Sequence, residues 1–187
     1  QVPQRALYAV NSTGTRYDMT ETTKLAAADG FELPAYLARP AQAPHAAVVV
    51  LQEIFGVNSH IRAVADGYAQ QGYLAIAPEL FHRVRSGVEL GYTAADVEQG
   101  RQLKAAAEAL PAPGVLADVA AAIAYGARHG GGKVGVVGYC WGGLLVWRSA
   151  CTPPQSTAQA PSAPSNAGTT LAPGRVPNRS SHSRASR

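Results

Sequence analysis

Along the first part of the chain the spacing of apolar positions changes character several times. Phe31, Leu33, Ala35 and Leu37 alternate with other residues, the mark of a strand with one buried face, and Pro40 ends it. Ahead of them, residues 24–28 lead into Asp29-Gly30, a hairpin-turn pair, so two short antiparallel strands are predicted. An unbroken apolar run follows at 46–51 (AAVVVL) and reads as a strand buried on both faces. After the turn QEIFG, Asn58 or Ser59 can cap a helix. On that helix Ile61, Val64, Ala65, Tyr68 and Ala69 share one face, and Gly72 stops it. Residues 73–77 (YLAIA) predict another buried strand, closed by Pro78.

The pattern then lengthens into helical segments. Residues 94–110 are Ala-rich and end at Pro111. Residues 115–129 place Leu116, Val119, Ala120 and Ile123 inward, with Gly130 beyond the end. A third buried strand is predicted at 133–137 (KVGVV), and a helix just after Cys140. Strands alternating with helices define an α/β class, a mostly parallel sheet flanked by helices with right-handed crossovers.

From Cys151 onward the composition turns to Pro, Ser, Ala, Thr and Arg, with Leu171 and Val176 the only large aliphatics. Such a segment buries too little apolar surface to offset chain entropy, so residues 151–187 are expected to be a disordered tail. Met19 opens a stretch that reads like a natural start. Residues 1–18 are therefore expected to be a disordered extension and 19–150 the folded domain.

Charge sharpens this division. The net charge is +4, but residues 1–147 hold 11 Lys and Arg against 12 Asp and Glu, while residues 148–187 hold five Arg and no acid. The basic character belongs to the tail and describes no basic face on the domain. The tail has no aromatic residue to stack on bases, so a nucleic-acid partner is not expected. No run of about 18 apolar residues exists, which argues against a transmembrane helix, and the opening residues lack a basic start followed by an apolar block. The two cysteines, Cys140 and Cys151, form neither a disulfide framework nor a metal motif. Cytoplasmic residence is the expectation.

The strongest chemical signal is Gly138-Tyr139-Cys140-Trp141-Gly142-Gly143, directly after the KVGVV strand. It has the G-x-nucleophile-x-G spacing of a nucleophile elbow, with Cys as the nucleophile. The residues two before and two after the nucleophile crowd each other in the sharp turn, so only Gly fits. The turn lifts the sulfur to a helix N-terminus, where free N–H groups favour a thiolate. Gly130, Gly132 and Gly135 also satisfy G-x-G-x-x-G, but they precede the strand and no acid follows to hold a ribose, so dinucleotide binding is set aside. Glu53 directly follows a buried strand, at the carboxyl end where open α/β sheets place ligands.

Together, VVVLQEIFGVNSHIRAVADGYAQQGYLAIAPELFHR, GKVGVVGYCWGG and, more weakly, KLAAADGFELPAYLARP resemble the dienelactone hydrolase (carboxymethylenebutenolidase) family of α/β hydrolases, over about residues 19–147. The resemblance implies that Cys140 attacks a lactone carbonyl and that Glu53 takes part in switching the thiol to thiolate. It implies backbone N–H groups of Ile54 and Trp141 as the oxyanion hole, and Arg83 as the holder of a substrate carboxylate, with Arg85 a possible substitute two residues away. The implied substrate is a dienelactone or a related small ester bearing a carboxylate, with no metal or organic cofactor.

The order nucleophile, acid, His is not completed. No Asp or Glu follows Asp118, and the only histidine after Cys140 is His182. His45, His60, His82 and His129 all precede Cys140 and read as surface or helix-end residues. The expectation is an incomplete α/β-hydrolase fold with impaired turnover, prone to aggregation because part of the sheet is missing. The alternative is a non-catalytic truncated or frameshifted remnant of such a hydrolase.

Overall fold

A computed structural model describes residues 8–10, 16–18 and 20–151. Within the stretch expected to lack order, β1 (Tyr8–Val10) and β2 (Arg16–Asp18) pair antiparallel. The expected tail, beyond Cys151, lies outside the described residues.

The main sheet has five strands in the order β3-β4-β6-β5-β7. The strands are β3 (Thr20–Ala26), β4 (Glu32–Ala38), β5 (Ala47–Leu51), β6 (Leu74–Pro78) and β7 (Val134–Gly138). The sheet is mixed: the β3–β4 and β4–β6 pairs are antiparallel, and β5 pairs parallel with both β6 and β7. The Asp29-Gly30 turn joins β3 to β4, Gly30 taking a left-handed φ of +82° and Asp29 accepting from the Phe31 N–H at 3.1 Å.

Period-two geometry sends alternate side chains of one strand to opposite faces. Val49 and Leu51 of β5, Leu74 and Ile76 of β6, and Leu33, Ala35 and Leu37 of β4 enter one core. Val50, Ala75, Ala77 and Ala38 enter the other. Helix α1 (Ser59–Gln70) covers that second core with Ile61, Ala65 and Ala69, and Asn58 caps it by accepting the Ile61 N–H at 3.2 Å. The first core is covered by α2 (Ala94–Glu108), α3 (Val115–His129) and α4 (Trp141–Cys151). Because both faces are covered, β5 and β6 must be apolar throughout, which is why they read as unbroken hydrophobic runs.

The inward face of α3 departs from the expected one. Val119 is buried as predicted, and Leu116 and Ile123 pack half-buried against the core, but Ala120 is exposed while Asp118 is fully buried. The helix turns to its core a side on which Asp118 finds a cationic partner, which offsets the cost of burying a carboxylate. That partner is Arg83.

Candidate active site

Strand β7 ends at Gly138, and α4 begins three residues later at Trp141. The chain reverses between them through Cys140, whose φ of +52° is the only left-handed value at a non-glycine among the described residues. A side chain in that region costs on the order of 1–3 kcal/mol and persists only where the surroundings enforce it. Here they do. A Cβ on Gly138 would collide with the Gly142 backbone, and one on Gly142 would meet the carbonyl oxygens of Leu51 and Gln52 at 2.5 and 2.6 Å. The two glycines let strand, elbow and helix close on each other. The Gly142 N–H donates to the Tyr139 carbonyl at 2.8 Å and the Gly143 N–H to the Cys140 carbonyl at 3.1 Å, locking the turn. Cys140 is exposed, and the backbone turns through a left-handed φ there.

The neighbouring strand brings the second part of the site. Leu51 of β5 is in register with Gly138 of β7, so both strands leave the sheet side by side, one toward Gln52-Glu53-Ile54 and the other toward Tyr139-Cys140-Trp141. The loop after β5 is fastened from several directions. Buried Gln52 accepts the Leu80 N–H at 3.1 Å, and the Phe55 carbonyl accepts the Leu90 N–H at 2.8 Å. Glu53 is half-buried, and its Oε2 accepts the Tyr92 hydroxyl at 3.0 Å. Tyr92 also packs edge-on against Phe55 at 4.6 Å. Proximity to Glu53 and burial both raise the Tyr92 hydroxyl above its ordinary range, burial the more strongly.

Trp141 anchors the start of α4. It is buried, stacks on Phe81 with ring centroids 5.0 Å apart, and donates its indole N–H to Glu108 at 3.2 Å. Neither its backbone N–H nor that of Ile54 has a hydrogen-bond partner among the described residues. An unpaired N–H is expected in the first turn of a helix. Cys140, Ile54 and Trp141 line an open cleft of about 370 Å³ together with Leu144, Arg101 and Lys104.

Arg83 does not line this cleft. Its guanidinium grips both oxygens of Asp118 through Nε and Nη2 at 2.8–3.1 Å, holds Asp29 through Nη1 at 2.7 Å and Nη2 at 3.0 Å, and lies 4.2 Å from the centroid of the Phe31 ring. The two carboxylates raise Arg83 further above its usual range. Burial pushes the Asp118 carboxyl up while the guanidinium opposes that shift, and Asp29 at the surface is held below the usual carboxylate range by Arg83. The arginine that the family resemblance assigns to a substrate carboxylate thus already holds two carboxylates of its own chain. Arg85 is exposed.

None of the four histidines before Cys140 lines the cleft. His45 contacts Tyr73, His60 contacts Tyr139, and His129 contacts Tyr125 through ring edges or tilted faces. His82 lies against Phe31 with Nδ1 3.8 Å from Glu79. No helix among the described residues is long and apolar enough to cross a membrane.

A mixed sheet in this strand order, covered on both faces and ending in a strained non-glycine elbow at a helix N-terminus, defines the class of α/β-hydrolase folds. The sequence model of the dienelactone hydrolase family matches residues 33–173, reaching past the segment that carries the resemblance by motif. Among curated proteins, a "Putative carboxymethylenebutenolidase" of Synechocystis sp. is 42% identical over 126 residues, covering 65% of this chain and 50% of its own length. The carboxymethylenebutenolidase of Pseudomonas putida is 38% identical over 135 residues, covering 69% and 55%. Among solved structures, the "Putative Dienelactone Hydrolase" of Klebsiella pneumoniae superposes with a TM-score of 0.55 at 36% identity, covering 70% of this chain and 54% of that one. The chain belongs to the dienelactone hydrolase family. It spans about half the length of the curated relatives it matches.

Tyr92, Arg101 and Lys104 escaped the sequence reading. Tyr92 lies 39 residues from Glu53, and no local pattern links them. Arg101 and Lys104 look like an ordinary solvated helix face until the fold sets them against Cys140.

Proposed function

We propose that this chain carries the acyl-transfer site of a cysteine-dependent ester or lactone hydrolase, with Cys140 as nucleophile. The observation that carries the reading is an exposed Cys140 at φ +52° sharing a cleft with Ile54 and Trp141, whose backbone N–H groups have no hydrogen-bond partner among the described residues. Sγ attacks the carbonyl carbon of the ester. The thiol proton passes to Glu53, which follows β5 just beyond the Leu51–Gly138 register pair and does not itself line the cleft. The two N–H groups receive the developing oxyanion, one such donor typically being worth about 3 kcal/mol in the transition state. The bond to the leaving oxygen then breaks, that oxygen takes up a proton, and a thioester remains on Cys140. Water cleaves the thioester, releasing the acid and restoring the thiol. The substrate class is a dienelactone or a small ester carrying a carboxylate, by analogy with the carboxymethylenebutenolidases this chain is similar to.

A second reading, a non-catalytic form of such a hydrolase, is favoured by the cleft lining, which among the described residues contains no histidine, aspartate or glutamate. The two readings part in a pre-steady-state assay with 4-nitrophenyl acetate. The first predicts a nitrophenolate burst of about one per chain, lost in Cys140→Ala, followed by slower steady release as the thioester is hydrolysed. Nitrophenolate release without a burst, at equal rate in both proteins, supports the second.

A further inference from the structure

The cleft beside Cys140 carries charge of one sign. Two of its lining residues, Arg101 and Lys104, are cationic, the others that are not Cys140 are the apolar Ile54, Trp141 and Leu144, and no carboxylate lines it. Both cations come from α2, one turn apart, so they share a face of the helix. Gly100, directly before Arg101, sets the helix in place. A Cβ on Gly100 would run into the Ile54 carbonyl, so α2 lies against the loop of the expected oxyanion donor as closely as backbone allows. Lys104 shares Glu108 at 3.4 Å with Arg148 at 3.6 Å, whereas Arg101 has no ion-pair partner among the described residues. Lys104 and Arg148 thus divide one carboxylate between them, and Arg101 adds a further positive charge to the cleft lining.

We infer that Arg101 and Lys104 are the specificity-determining residues of this site, selecting acyl donors whose short apolar acyl group ends in a carboxylate. This deepens the reading of Cys140 as nucleophile and rests on it. It also places the recognition of a substrate anion on α2, a role the family resemblance gives to Arg83, whose guanidinium is held by Asp29 and Asp118. A substrate carboxylate accepts hydrogen bonds from Arg101 first, since that side chain exchanges only water for the ligand, and from Lys104 with Glu108 released or shared.

Iodoacetate and iodoacetamide test this without requiring turnover. Both alkylate a thiol at the same carbon and differ mainly in charge. The rate ratio of the two reagents at Cys140, read by peptide mass mapping of the full chain, is compared with the same ratio in the urea-unfolded chain. The expected result is a folded-state ratio raised by about two- to fivefold per cation, falling stepwise in Arg101→Gln and in Arg101→Gln/Lys104→Gln and falling also in 0.5 M salt. Iodoacetamide serves as the divisor, so any change in thiol ionisation caused by removing the cations cancels from the ratio. A folded-state ratio equal to the unfolded one, or one that the glutamine substitutions leave in place, overturns the inference. Failure of the nucleophile reading looks different: a neutral activated ester then leaves Cys140 unacylated in the wild type, whatever the alkylation ratio.

Discussion

At the scale of single residues, the conformation of Cys140 and the pairing of Arg83 carry most of the physics. A left-handed Cys is strained, whereas glycine adopts the same angles freely. Replacing Cys140 by Gly is therefore expected to leave the protein about 1 kcal/mol more stable than Cys140→Ala, while both variants lose acylation. Urea unfolding of the two proteins measures the difference, and equal stabilities would mean that the elbow is unstrained. For Arg83 the prediction runs the other way. Truncation to Ala leaves Asp118 buried and unpaired, a loss of roughly 3–5 kcal/mol. If Arg83 served chiefly to hold substrate, the same variant would keep its midpoint and lose only affinity for anionic esters. The elbow was legible in five letters, because its glycines answer a steric demand within one turn. The Arg83 clamp was not, because its two carboxylates stand 54 and 35 residues away and each is unremarkable by itself.

At the scale of elements, helix α2 links the fold to the cleft. Thr93 caps it with a reciprocal capping box, its hydroxyl accepting the Asp96 N–H at 3.2 Å and Asp96 accepting the Thr93 N–H at 3.0 Å. Thr93→Ala is expected to cost about 1 kcal/mol with little effect on acylation. Gly100→Ala is expected to do the reverse of a simple helix substitution. It raises helix propensity yet forces α2 or the Ile54 loop to move, so acylation slows on the order of tenfold or more even if the melting temperature holds. Acylation at the wild-type rate in Gly100→Ala would separate α2 from the site. The strands, α1 and the extent of α3 were readable from period and caps, since those signals are local. The rotation of α3 was not, since its inward face is chosen by the ion pair at Asp118 as much as by its apolar residues.

At the scale of the whole molecule, order should fall off across the sheet. β5 and β6 lie between neighbours and are almost wholly buried, while β7 pairs among the described residues only with β5 and its valines are half-exposed. On α4, Leu144 and Trp147 show large apolar surface, Trp147 with 70% of its area exposed. Amide exchange is expected to be slowest in β5 and β6 and faster in β7 and α4. Uniform protection across the sheet would show that the nucleophile strand is held as firmly as the centre. Cys140 is an exposed thiol on the left-handed turn, and Cys151, exposed at the end of the helix that follows, is its internal control. The most direct test is to treat the intact chain briefly with a neutral activated ester and map the acyl group by peptide mass. The prediction is a single acyl group on Cys140, formed much faster than on Cys151 and lost on prior unfolding. Equal acylation of both cysteines, at the rate of the unfolded chain, would contradict it.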